Sequence, residues 1–394
     1  MGVLFLIVFI DLVGFGIVIP LLPFYGTHFN ASPATIGLLM ATYSLFQLIA
    51  APLWGRLSDR YGRRPVLLGT LGGAALAYGL LGLADNLAML FVARALGGLM
   101  AGNIATAFAY AADVSAPESR AKAMGTVGAA FGLGFIFGPA IGGILAGSDP
   151  ATANYAAPAF AAAALSVLAL ALALARLKES MSEEARAQAR GLSRQDRRDR
   201  FRLALGNPLV ALPIGLNFMA VFVFAGLETT FALWSFASFG WGPLENGYLF
   251  AYVGLLSALV QGGLVGRLAR RFGETQLVRL GALGLALGIG GIPLADGLFG
   301  LGLAMALVAL GFGLMAPSLA SLTSRPVAST EQGGVMGVAR SFSTLARVVG
   351  PVFAGFLFDT LGRDWPYFSG AVLMGLVLIL SLVLLRRTSG PKGA

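Results

Sequence analysis

The chain has 394 residues, 57% of them hydrophobic and only 11% charged, with a mean hydropathy of +0.82 and a formal net charge of +9. A soluble domain carries about 25% charged residues. This composition therefore excludes a soluble enzyme, a disordered protein and a nucleic-acid module, and points to a polytopic membrane protein. The absence of cysteine and the single histidine, His28, exclude disulfides, thiol nucleophiles and Cys- or His-cluster metal sites.

A membrane-spanning helix needs about 20 mainly apolar residues. Twelve stretches meet that need, at roughly 2–24, 34–55, 66–84, 87–111, 121–147 and 157–177, then roughly 208–236, 245–267, 275–294, 298–322, 332–358 and 366–386. The first is too long for a cleaved signal peptide and carries Asp11, so it reads as a retained helix. The length of the runs predicts helices rather than a barrel. The polar stretch between Arg176 and Asn207 holds nine Lys/Arg and five Asp/Glu. It reads as a solvated linker with an amphipathic helix near Glu183–Arg190. The chain thus divides into 1–177, a cytoplasmic linker 178–207, and 208–394 with a short cytoplasmic tail. If the loops after even-numbered helices and the C-terminal tail share one side, that side carries 22 of the 27 Lys/Arg. The bias predicts cytoplasmic termini.

The two halves repeat. Gly55-Arg56-Leu57 recurs as Gly266-Arg267-Leu268 at an offset of 211, together with Arg60 and Arg271 and with Gly62 and Gly273. Met124-Gly125 recurs as Met336-Gly337 at an offset of 212, as do Gly138-Pro139 (Gly350-Pro351) and Gly143 (Gly355). Each half has an even number of spans, so the repeat is parallel. Parallel repeats place the substrate near the bilayer midplane at the repeat interface.

Asp11 and Glu228 are the acids deep within the spans, and such residues are functional candidates by default. Burial favours the neutral form of an acid and a nearby cation favours the charged form, which makes either one a proton-loading switch. Arg347, midway along helix 11, is the candidate partner of Glu228. Aromatic and polar side chains at 3–4 spacing suggest an amphiphilic cavity for lipophilic compounds. They are Phe15, one turn from Asp11; Tyr43 and Gln47 on helix 2; and Asn217, Phe224 and Phe231 on helix 7. Ser257 and Gln261 on helix 8 complete the set.

Four stretches carry a family resemblance. Gly55-Arg-Leu-Ser-Asp-Arg-Tyr-Gly-Arg-Arg-Pro65 resembles the loop 2–3 signature of the major facilitator superfamily. Asp11-Leu-Val-Gly-Phe-Gly-Ile-Val-Ile-Pro20, Arg94-Ala-Leu-Gly-Gly98 and Gly128 to Gly143 resemble the helix 1, helix 4 and helix 5 motifs of its twelve-helix drug/proton antiporters. The chain also resembles the tetracycline-resistance type of exporter. The chain departs from that group where Ala77 precedes Tyr78, where Ser257 replaces a helix 8 histidine and where Leu285 replaces a helix 9 acid. The departures do not point to tetracycline as substrate.

The resemblance implies an all-α major facilitator fold of two pseudo-symmetric six-helix bundles that rock about a central site. It makes Arg94 the partner of Asp11. It also implies that Asp59, among Arg60, Arg63 and Arg64, holds the cytoplasmic side shut against a helix end in the other half, with Gly55 and Gly62 allowing the turn and Arg120 as an ion-pair partner. Arg270 stands where the repeat would need a second Asp59, so the second copy is expected to be a weaker latch or none. Gly138, Pro139, Gly142 and Gly143 are expected to form a close, bendable contact between the halves. The expected activity is proton-driven export of small amphiphilic compounds across a bacterial-type inner membrane. The expected form is a monomer that is not an enzyme, contacts lipid, and uses protons but no cofactor, metal or nucleic acid. A carrier of a sugar, organic anion or siderophore, and a non-transporting receptor, remain as alternatives. Without a P-loop, the chain is not expected to use ATP.

Overall fold

The computed structural model describes residues 1–116, 119–181, 202–328 and 331–388, without the side chains of Arg120, Ala121 and residues 383–388. The amphipathic helix expected near Glu183–Arg190 lies outside the described residues. Helices follow each other through short turns: α1 (Gly2–His28), α2 (Pro33–Tyr61), α3 (Arg63–Gly82), α4 (Leu87–Asp113), α5 (Arg120–Ala146), α6 (Ala156–Arg176), α7 (Pro208–Phe239), α8 (Pro243–Phe272), α9 (Glu274–Gly291), α10 (Leu298–Ser324), α11 (Gln332–Thr360) and α12 (Trp365–Thr388). Among the described residues, eleven are long and apolar enough to cross a membrane. The remaining one, α9, opens on Glu274, Gln276 and Arg279, which lower its mean hydropathy, but it packs against α10 and α12. The fold is that of a multi-pass, all-α membrane protein.

Local chemistry sets the helix boundaries. The Ser32 hydroxyl accepts the Thr35 amide at the start of α2, and the Asn86 side chain accepts the Met89 amide at the start of α4. Both satisfy donors that a first turn leaves bare. The turns α2–α3 and α8–α9 pass through Gly62 (φ +107°) and Gly273 (φ +79°), a left-handed backbone that only glycine adopts at low cost. The repeat is therefore one of backbone conformation as well as of sequence.

By contact the chain forms two compact units, Met1–Leu192 with Thr229–Gly254, and Ser193–Glu228 with Leu255–Ala394. This division differs from the sequence boundary at the linker because the end of α7 and the start of α8 group with the first unit. In that unit α1 packs on α5 and α6, α3 on α6, and α2 on α4. The α1–α5 approach is backbone to backbone: a Cβ on Gly138 would lie 2.6 Å from the Cα of Gly16, and one on Gly134 2.7 Å from the Cβ of Leu12. Gly142 meets the Ile17 carbonyl. Pro139 and Gly143 face α8 within the same unit, where a Cβ on Gly143 would lie 2.7 Å from the Pro243 carbonyl oxygen. The small-residue stripe, expected to serve one contact, therefore splits. Gly134, Gly138 and Gly142 seat α1, Gly143 seats α8, and Pro139 serves both, its ring against Gly16 of α1 and its carbonyl oxygen toward Gly247 of α8. Close packing through small residues is how membrane helices associate without a hydrophobic drive.

A side chain at Gly138 would meet backbone, which cannot move aside. Gly138→Val is expected to destabilise the detergent-solubilised protein by at least about 1–3 kcal/mol, whereas Gly128→Ala, where a Cβ meets nothing within 4 Å, should be neutral. Thermal unfolding of the two variants checks this.

Candidate functional site

In the first unit a small cavity is lined by Asp11, Phe15, Tyr43, Ala77, Tyr78 and Asn103, among others. Asp11 is buried, and its hydrogen-bond partner among the described residues is the Asn103 amide. The Asn103 oxygen accepts the Ile104 amide at 2.8 Å, so its nitrogen is the end turned to the carboxylate. A second, smaller cavity, walled by Ile7, Val8, Leu67 and Leu71, adjoins Asp11 and Asn103 from an apolar side. Arg94, expected to pair with Asp11, lies instead over the Tyr43 ring at 4.4 Å. It is buried, its Nε has no hydrogen-bond partner, and it makes no ion pair among the described residues. A buried guanidinium held by a ring face retains unspent donors. The Phe15 ring packs on Tyr43 (5.4 Å) and Phe135 (6.0 Å). Gln47 is half-buried and does not line this cavity.

Asn103 is not among the sequence candidates; the signal beside it is the glycines at 97, 98 and 102, which in a glycine-rich membrane chain do not by themselves mark a break. The helix runs Leu87–Leu99, opens at 100–102 and resumes at Asn103–Asp113. Gly102 sits against Trp54, whose indole N–H donates to the Leu99 carbonyl exposed by the break.

In the second unit the Arg347 guanidinium donates to Glu228 at 3.0 Å, the arrangement expected for these two residues. The Asn217 amide donates to Ser343 at 2.8 Å, and Phe224 stacks on Phe312 with centroids 4.4 Å apart. Ser257 is half-buried near Gly313, and Gln261 is exposed within a π-helical stretch of α8, Val260–Leu264. Phe231, grouped in the first unit, lines no opening. It is fully enclosed, with Trp234 and Phe250 rings at 6.0 and 5.8 Å, because edge and tilted aromatic contacts fill the space.

The loop 2–3 signature is a charge network within its own unit. Arg63 bonds Asp59 at 2.6 Å, Asp113 at the end of α4 at 2.9 Å, and the Ser58 hydroxyl at 2.9 Å. Arg60 lies over Tyr61 at 5.4 Å, and Gly55 is exposed with open space around it. The Arg120 side chain is outside the described residues. Glu179, which the sequence reading passed over, accepts the Arg63 and Arg64 amides at 2.9 and 3.1 Å and so caps α3. A Cβ at Gly62 would collide with that carboxylate.

The second copy keeps this link with the charges exchanged. At an offset of 211 from Arg63 stands Glu274, and at 212 from Asp113 stands Arg325. The two form an ion pair, and Ser321 donates to Glu274 at 3.2 Å. The sequence reading followed position 59 and expected a weak latch or none. The pairing lies at position 63 instead, with its polarity reversed.

The family model described as "Major Facilitator Superfamily" matches residues 4–351. Multidrug resistance protein 2 of Bacillus subtilis (strain 168) is 29% identical over 380 residues, which is 95% of this chain and 92% of that protein. Tetracycline resistance protein, class C, of Escherichia coli is 32% identical over 359 residues, 90% and 89% of the two chains. Among solved structures, the human organic anion transporter MFSD10 (TETRAN) superposes with a TM-score of 0.74 at 28% identity, covering 96% of this chain and 98% of that one.

Removing one member of a largely buried ion pair leaves the other uncompensated. Arg347→Leu is therefore expected to cost about 3 kcal/mol, the low end of that range because Arg347 is 34% exposed. Arg347→Leu with Glu228→Leu should recover most of the loss. Denaturant titration of the single and double variants measures the difference.

Proposed function

The chain belongs to the Major Facilitator Superfamily, and from that membership we propose that it is a drug exporter, moving small amphiphilic compounds outward against an inward flow of protons. Its superfamily is one of transporters, and it is not an enzyme. Two relatives along nearly its whole length are named for resistance to drugs, which supports efflux as the direction. Coupling to protons is carried by one observation. The membrane-depth acids Asp11 and Glu228 are both buried, one on an amide and the other on a guanidinium. A buried carboxylate is stable when charged only while donors hold it, and takes a proton when they leave. That exchange links a proton to a change of conformation in an alternating-access cycle. No cofactor enters this reading. The protein works as a monomer in a plasma membrane with both termini cytoplasmic, as the basic loops require.

Aromatic rings beside the acid, at Phe15, Tyr43 and Tyr78, suit lipophilic cations. One observation favours a second reading: Arg94 is buried without an ion pair among the described residues, and a relative of solved structure is titled an organic anion transporter. On that reading the substrate is anionic and pairs with Arg94.

Proteoliposomes with an imposed pH gradient test both. Under the first reading, lipophilic cations move uphill in wild type. Asp11→Asn or Glu228→Gln then abolishes gradient-driven uptake, about 10-fold or more, while counterflow exchange persists. Uphill transport by both variants would remove proton coupling from these acids. Transport of organic anions, lost in Arg94→Gln, would select the second reading.

A further inference from the structure

Asp11 sits where two features of the first unit meet, and neither belongs to its own helix. The first is the interruption of α4 at 100–102, after which the chain restarts as an eleven-residue helix at Asn103. The second is the amide of Asn103 itself, oriented by its bond to the Ile104 N–H and directed at the carboxylate. We infer that Asn103 is the positioning residue of Asp11. Its amide is the donor that favours a charged carboxylate there, and movement of the Asn103–Asp113 segment about the break withdraws that donor and favours proton uptake by Asp11. This rests on the reading of Asp11 as a coupling acid.

The surroundings leave the amide as the controlling group. On one side the walls are Ile7, Val8, Leu67 and Leu71, which offer nothing to a charge. On the other, the titratable and charged groups are Tyr43 from α2, Tyr78 from α3 and Arg94 from α4. Arg94 is engaged with the Tyr43 ring. The helices packed on α1, α5 and α6, carry no titratable residue between Lys122 and the α5 end, or within α6 before Arg176. An ionised carboxylate in such a place depends on the donor it has. The restarted helix adds the favourable end of its dipole to the same spot.

The break is built to persist and to bend. An opened helix inside the bilayer is tolerated only where its freed groups find partners. Here the Leu99 carbonyl is taken by the Trp54 indole, and the Gly102 carbonyl accepts both the amide and the hydroxyl of Thr106, at 3.2 and 2.9 Å. Gly97 and Gly98 precede the break, and Gly102 closes it. The charge of Asp11 is thereby tied to the angle between two parts of one helix.

Infrared difference spectroscopy of the reconstituted protein, titrated with pH, reads the Asp11 carboxyl directly, with the band assigned by its loss in Asp11→Asn. Asn103→Val removes the donor that favours the charged form, so protonation persists to higher pH. The band and the pH profile of transport should both move up by about one to two pH units, a 10- to 100-fold gain in proton affinity. Asn103→Ser keeps a donor and should lie between Asn103→Val and wild type, which guards against misfolding of the valine variant. An Asp11 band that titrates at the wild-type pH in both Asn103 variants overturns the inference while leaving proton coupling at Asp11 intact. Uphill transport in Asp11→Asn instead overturns the coupling reading, whatever the band does.

Discussion

Backbone amides and carbonyls that lie in hydrocarbon must be satisfied from within the protein. Everything else in this molecule is built on that requirement. It makes the spans helical and their boundaries capped. It also restricts irregular backbone to places where a partner is at hand. Two irregularities inside the spans, the opening in α4 and the π-helical stretch in α8, follow that restriction in different ways. In α4 the exposed carbonyl is met by Trp54 from α2. In α8 the stretch stays internally bonded, with Leu259 and Val265 in ordinary helical conformation at its two ends.

The same requirement governs charge. Asp11, Glu228, Arg94 and Arg347 lie within spans, and each is held differently: by an amide, by a guanidinium, by a ring face and by a carboxylate. The second unit contains a closed pair, while the first separates its acid from its base. The two halves repeat in sequence, and the two units differ in how they hold charge. A closed pair resists protonation until it is pulled apart, whereas an acid on a single amide responds to the loss of one contact.

At the ends of the helices the repeat is preserved as a physical link rather than as a residue. Arg63 with Asp113, and Glu274 with Arg325, tie the start of the third helix of each half to the end of its fourth, with the charges exchanged. Coulomb attraction is indifferent to which partner carries which sign, so an exchange of both leaves the link standing. Glu179 extends the first of these networks into the segment that follows α6, since it caps α3 through the Arg63 and Arg64 amides and is adjacent to Ser180, which donates to Asp113 at 3.1 Å.

Sequence alone determined the class, the number and order of the spans, and the parallel repeat. The first two follow from hydropathy, which accumulates over some twenty residues and does not depend on what lies alongside; the repeat follows from residues recurring at a near-constant offset of 211–212. It also singled out Asp11, Glu228 and Arg347, because a charge in an apolar run is visible by contrast, and Arg94 through the family resemblance of its motif. Only the tertiary structure decided how those charges are held. Arg94 lies over Tyr43, because α4 packs closely on α2 at Gly97 and Gly98, and Asp11 meets Asn103 across ninety-two residues of chain. The division of the glycine stripe between α1 and α8, and the burial of Phe231 among rings, were hidden for the same reason. A small residue or an aromatic one in a membrane helix has no fixed neighbour until the helices that surround it are in place.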